Sequence, residues 1–169
     1  MNVALLLLQL YVHPAPTETL QYRYVEGCSH GTPIVLEVIH LGGSDGDGKP
    51  LVLEREAAEA FIQMRLDMAA SGVDIRLNYA HRTMEQQISL FRKNRRLASP
   101  PGLSPHQEGR AIDVAGCTKR VGRKRFETKV CRWLRLHAHE YGFSRPMRNE
   151  PWHWEFRGRP DERVAGLSF

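Results

Sequence analysis

A chain of 169 residues has room for one domain with a sizeable core and none for two of ordinary size. With 41% hydrophobic and 25% charged residues it is neither a low-complexity tail nor a chain too polar to fold. The formal charge of +5 gathers in RKNRR (Arg92 to Arg96) and KRVGRKR (Lys119 to Arg125), runs that attract polyanions; no nucleic-acid-binding pattern accompanies them, so a solvated surface and no specific nucleic-acid partner are expected.

The first fifteen residues, MNVALLLLQLYVHPA, have an apolar run of export-signal length without the positive segment that such a signal carries. The run is too short to cross a bilayer, so no integral membrane span is expected, and a first strand is the preferred reading over an export signal. TLQYRYVEG (Thr19 to Gly27) and TPIVLEVIHLGG (Thr32 to Gly43) are rich in β-formers and read as a hairpin turning at Cys28 to Gly31. GGSDGDGKP (Gly42 to Pro50) is a loop by composition; its Asp-x-Asp-Gly fragment lacks the closing glutamate of a calcium loop and reads as a plain turn.

Leu53 to Ala70 carries Ala57, Ala60, Phe61, Met64 and Met68 at helical spacing, with Gly72 as the stop. VDIRLNYA reads as a strand, and TMEQQISLFRKN as a helix capped by Thr83 with Gln86 in the capping-box position. RAIDV alternates as a strand. RFETKVCRWLRLHAHEYGF reads as an amphipathic helix with Phe126, Val130, Trp133, Leu134, His137 and Tyr141 on one stripe. The order of elements predicts an α+β fold: helices packed on a small, mostly antiparallel sheet. Three cysteines form no CxxC, and a Cys117 to Cys131 bridge is open for an exported chain.

Two stretches carry chemistry. In SPHQEGRAIDV (Ser104 to Val114), strand period puts Ala111 and Asp113 on one face and sends Ile112 and Val114 to the core, while His106 on the preceding loop can swing to the same point as Asp113. In NEPWHWEF (Asn149 to Phe156), proline biases Glu150 to extended backbone, and alternation puts His153 and Glu155 on one face with Trp152, Trp154 and Phe156 on the other. Imidazole nitrogens and a carboxylate oxygen suit Zn²⁺, and a hydrolytic zinc site uses three protein ligands. His106, Asp113 and His153 are the candidate ligands, and Glu150 is the candidate base. Arg82 either binds an anionic substrate group or pairs with a local acid. Glu155 either orients a ligand histidine or faces solvent. His13, His30, His40, His137 and His139 lie outside ligand spacing and read as structural or surface residues.

SPHQEGRAID fits the pattern SxHxxGxAxD, and EPWH the pattern ExxH, of the D-alanyl-D-alanine metallopeptidases, which share a fold with the hedgehog signalling domain. HRTMEQQISLF resembles their R-[ST]-x-x-x-Q segment, and WLRLHAHEYGF the helix before ExxH. The resemblance spans about residues 50 to 157; His81 departs from it, standing where the family commonly has an aromatic residue. It implies that His106, Asp113 and His153 bind zinc, that Glu150 is the general base and acid, that Arg82 is catalytic and substrate-binding, and that Gln87 and Ser104 support substrate binding.

The expected domains are an N-terminal β-hairpin region (1–48), part of or appended to the unit, and a zinc peptidase core (49–169). The implied function is hydrolysis of the peptidoglycan stem peptide, foremost as a D-alanyl-D-alanine carboxypeptidase. The alternatives are an L-alanyl-D-glutamate endopeptidase of the lysin type and a noncatalytic zinc-containing binding module. A monomer in the cell envelope, the periplasm or the exterior is the corresponding expectation.

Overall fold

The computed structural model describes residues 22–121 and 124–160. The apolar N-terminal run, His13 and the expected strand start at Thr19 all fall in residues 1–21, outside the described residues. The described chain is α+β, with antiparallel strands and packed helices as its composition and periodicity predict.

The chain first builds a three-stranded sheet from β1 (Tyr22–Ser29), β2 (Thr32–Ser44) and β3 (Pro50–Glu54). The β1–β2 turn has His30 at φ 49° and Gly31 at φ 82°, the two left-handed positions of a tight hairpin turn. The strand β3 corrects the sequence reading, which starts a helix at Leu53. Leu53 instead pairs with Ile39, and the Glu54 carboxylate caps α1 (Arg55–Ala70) by accepting from the N–H groups of Glu56 and Ala57. The expected apolar stripe of α1 is buried from Ala57 to Met68 against the core.

A second sheet, ordered β4 (Leu77–Tyr79), β5 (Ala111–Val114), β9 (His153–Phe156), β8 (Phe143–Ser144), carries the functional strands. Ile112, Val114, Trp154 and Phe156 project into the same core as Phe61 and Met64 of α1. Two readings are corrected between β5 and β9. Residues expected at the start of a long helix form a hairpin, β6 (Thr118–Val121) and β7 (Lys124–Glu127), so α3 spans only Lys129–His137 before a 3-10 turn over Ala138–Tyr141. Phe126 pairs opposite Lys119 and is half exposed, off the helical stripe. Trp152, expected on one face with Trp154 and Phe156, precedes β9 and stands partly exposed, whereas Trp154 and Phe156 lie in the strand and are buried. Cys117 and Cys131 are joined by a disulfide that ties the end of β5 to α3. Among the described residues no helix is long and apolar enough to cross a membrane.

The helix α2 (Met84–Lys93) has the complete capping box that the sequence suggests: Thr83 Oγ1 accepts from the Gln86 N–H, and Gln86 Oε1 accepts from the Thr83 N–H. The Gln86 amide also donates to Asp45 and Asp47, binding the β2–β3 loop to the helix. Thr83→Ala is therefore expected to cost about 1 kcal/mol in urea unfolding; an unchanged midpoint would show that the cap contributes nothing here.

Candidate metal centre

The loop 104–109 is held from three sides. The Cys28 N–H donates to Gln107 O, the Arg82 N–H to His106 O and the Glu54 N–H to Gly109 O, each at 3.0 Å. Gly109 has φ 67°, and a Cβ there would lie 2.7 Å from Glu54 N, so this close approach requires glycine. The first sheet thus braces the loop that carries His106, a role invisible in the local motif.

Strand pairing supplies the other two groups. Asp113 and His153 are directly opposite in the β5–β9 ladder, which brings their side chains together on one face. Their neighbours Ala111 and Glu155 also face each other, and the small Ala111 leaves room for the glutamate. His106 Nε2 lies 3.3 Å from His153 Nδ1 and 3.4 Å from Asp113 Oδ1, while His153 Nδ1 lies 3.0 Å from Asp113 Oδ1.

The remaining ring nitrogens fix which lone pairs point inward. His106 Nδ1 lies 2.6 Å from the Ala80 carbonyl, an acceptor only, so this nitrogen donates and Nε2 presents a lone pair. His153 Nε2 lies 3.1 Å from the Glu155 carboxylate and Nδ1 lies 3.0 Å from Asp113 Oδ1; when the ring gives up one proton to a metal, the bond to Glu155 keeps the donor on Nε2 and leaves the Nδ1 lone pair for the metal. Two imidazole nitrogens and one carboxylate oxygen therefore converge, with separations of 3.0 to 3.4 Å. Tetrahedral zinc with bonds of about 2.0–2.1 Å separates its ligand atoms by about 3.3 Å, so the donor set fits that ion. Among the described residues this is the one His/Cys/Asp/Glu group of such form.

Burial opposes the charge on Asp113, but His106 and His153 outweigh it and hold its carboxyl well below the usual carboxylate range. Burial likewise lowers His153, yet its hydrogen bonds to Asp113 and then Glu155 prevail and raise it to about 9. Glu155 is 6% exposed and contacts Arg157, which favours the orienting reading over the solvent-facing one.

An open cleft of about 590 Å³ adjoins these groups and is lined in part by Arg82, Ser104, Glu150 and Trp152. Arg82 is 9% exposed, donates to Gln87 Oε1 at 2.9 Å and reaches Asp113 Oδ2 at 3.5 Å. Gln87 is fully buried and donates to Ser99 O, so it fixes the guanidinium from behind rather than facing the cleft. Glu150 sits in the turn before β9, its backbone carbonyl accepting from the His153 N–H, and its carboxylate has no hydrogen bond among the described residues. Sequence reasoning missed the Ala80 carbonyl and the cleft-wall residues Asp47 and Lys49, since a backbone acceptor and a turn carry no motif.

The D-alanyl-D-alanine carboxypeptidase (VanY) family model matches residues 50–159. No curated protein sequence matches the chain. Among solved structures the chain resembles the vancomycin-resistance D,D-pentapeptidase VanY of a VanB-type cassette in complex with Zn(II), with 20% identity, a TM-score of 0.56, and coverage of 73% of this chain and 79% of that one. It also resembles the LD-carboxypeptidase LdcB (24% identity, TM-score 0.54, 67% of this chain and 63% of that one). A third is the vancomycin-resistance D,D-dipeptidase VanXYg (22% identity, TM-score 0.53, 86% of this chain and 70% of that one). At these identities the structural likeness speaks for a shared fold. His106, Asp113, Glu150 and His153 all fall inside the matched span, and the chain belongs to the D-alanyl-D-alanine carboxypeptidase family.

Proposed function

We propose that the protein is a zinc carboxypeptidase of peptidoglycan that removes the terminal D-alanine from the stem peptide. The observation that carries this reading is the convergence of two imidazole nitrogens and a carboxylate oxygen beside an open cleft, with Glu150, whose carboxylate has no hydrogen bond among the described residues, among its walls. His106 Nε2, Asp113 Oδ1 and His153 Nδ1 would hold the zinc. Zinc in such a site supplies Lewis acidity that polarises a carbonyl and lowers the pKa of water.

The chain's own groups do the rest. The Glu150 carboxylate takes a proton from the attacking water and returns it to the leaving amine, a task suited to a carboxylate with no competing partner among the described residues. Arg82, held by Gln87, presents a fixed guanidinium to the substrate's anionic end or to the oxygen that gains charge. Ser104, 4% exposed at the cleft wall, supports substrate binding. Glu155 and the Ala80 carbonyl keep the two imidazoles in the tautomers described above. A location in the cell envelope or beyond it accords with the disulfide, which persists in oxidising compartments.

Mass spectrometry of muropeptides incubated with the purified protein tests the bond assignment. Release of a terminal alanine is expected. Cleavage between L-alanine and the D-glutamyl residue would replace this reading with the endopeptidase, and intact stems with zinc bound would replace it with the binding module.

A further inference from the structure

The turn between β2 and β3 reaches the site through one tyrosine. Tyr79 ends β4 directly opposite Asp113, so its side chain shares the face of the sheet that carries this candidate ligand, and it lines the cleft. The Arg82 guanidinium carbon lies over the Tyr79 ring, 5.7 Å from its centre and within cation–π range. At the far end of the ring the phenol oxygen packs on Gly46. A Cβ at Gly46 would lie 2.6 Å from that oxygen and 3.1 Å from the ring carbon that bears it. Gly46 is not among the glycines of positive φ, so its backbone conformation does not call for glycine, and the approach of Tyr79 does. The phenol makes no hydrogen bond among the described residues, which leaves this packing to hold its tip. The turn is itself fixed: Asp45 Oδ1 accepts from the N–H groups of Asp47 and Lys49, and the Gln86 amide donates to both aspartates. Gln86 is followed by Gln87, which accepts from Arg82, so the turn reaches Arg82 by two routes.

We propose that the β2–β3 turn is a positioning device for Arg82, acting through the Tyr79 ring, an inference that rests on the carboxypeptidase reading. Gln87 Oε1 and Asp113 Oδ2 each accept from one guanidinium nitrogen, and the Asp113 contact, at 3.5 Å, is a weak one. The Tyr79 ring restricts the movement that those two contacts leave, and Gly46 restricts the ring. A guanidinium that must meet an anionic group of the substrate tolerates little displacement, since a shift of about 1 Å caused far from the reacting atoms can cost about a hundredfold in rate. Residues 45–47 precede the family-matched span 50–159, so the device is supplied from outside that span. Tyr79 acts through Arg82 and is a positioning residue. The Asp-x-Asp-Gly fragment, a plain turn by sequence, thereby gains a role: its carboxylates hold the turn in place.

The test measures kcat and KM for a stem pentapeptide in the zinc-loaded wild type, in Gly46→Ala, in Tyr79→Leu, and in Gly46→Ala combined with either Tyr79→Phe or Tyr79→Leu, alongside zinc content and thermal melts. Gly46→Ala is expected to lower kcat/KM by about tenfold to a hundredfold, with zinc content unchanged and the protein folded at the assay temperature. Adding Tyr79→Phe removes the oxygen that the new Cβ meets and is expected to recover most of that loss. Tyr79→Leu, which lacks the ring, is expected to lose as much, and Gly46→Ala added to it should cost nothing further, the coupling expected of one chain of contacts. Gly46→Ala at the wild-type kcat/KM overturns the proposal, as does a loss that Tyr79→Phe leaves in place. A loss that only tracks unfolding in the melts gives the turn a structural role alone and overturns it too. A zinc-loaded wild type that cleaves no stem peptide overturns the carboxypeptidase reading, and the proposal falls with it.

Discussion

Glu150→Gln is expected to fold and to bind zinc as the wild type does, and to lose about a hundredfold to ten-thousandfold in kcat, the range for removing a positioned acid–base group. The expectation comes from its place in the structure. Glu150 lies outside the His106, Asp113 and His153 cluster, so zinc binding does not need it. Its carboxylate has no hydrogen bond among the described residues, so removing the charge breaks no internal contact. A small change in KM with a large fall in kcat would mark a group acting in the transition state. Retained hydrolysis would remove Glu150 from the mechanism, and lost zinc would make it a ligand.

His106→Ala is expected to weaken zinc binding by more than the roughly 10- to 100-fold that loss of an outer hydrogen-bond partner costs, because it deletes one of three donors. Zinc affinity should also depend on pH in a direction set by His153. With its pKa raised to about 9, His153 must give up a proton to a metal at neutral pH, so zinc binding tightens by about tenfold per pH unit towards 9 and then levels off. Asp113, held low, stays ionised over this range. In chelated protein the sign reverses. A raised folded-state pKa contributes stability that is fully present below the unfolded value of about 6.5 and is lost as pH rises through about 9. Thermal melts from pH 6 to 9.5 with chelator and with zinc should therefore diverge. Parallel curves would show that His153 does not exchange a proton for the metal.

The site was legible because its residues sit where local rules apply. Period two in RAIDV and HWEF gave the facing of Asp113 and His153, and the ladder then paired them directly. The Thr83 capping box and the buried stripe of α1 followed from spacing in the same way. What escaped depended on distant partners. Leu53 suits the start of a helix, and its pairing with Ile39 made it strand instead. Phe126 fits a helical stripe by spacing alone, but the β6–β7 hairpin claims it. Alternation also cannot tell a solvent-facing Glu155 from one turned onto its neighbour's ring, a choice made by the small Ala111 opposite. Bracing of the 104–109 loop by the first sheet rests on backbone hydrogen bonds, which leave no mark on side-chain chemistry.

The most direct measurement is zinc content and stem-peptide hydrolysis of the same sample before chelation, after chelation and after zinc is restored. One zinc per chain, hydrolysis that vanishes with the metal and returns with it, and no return in Asp113→Asn at matched zinc concentration are the predicted results. Full hydrolysis by the chelated protein would contradict the metal centre as the seat of catalysis.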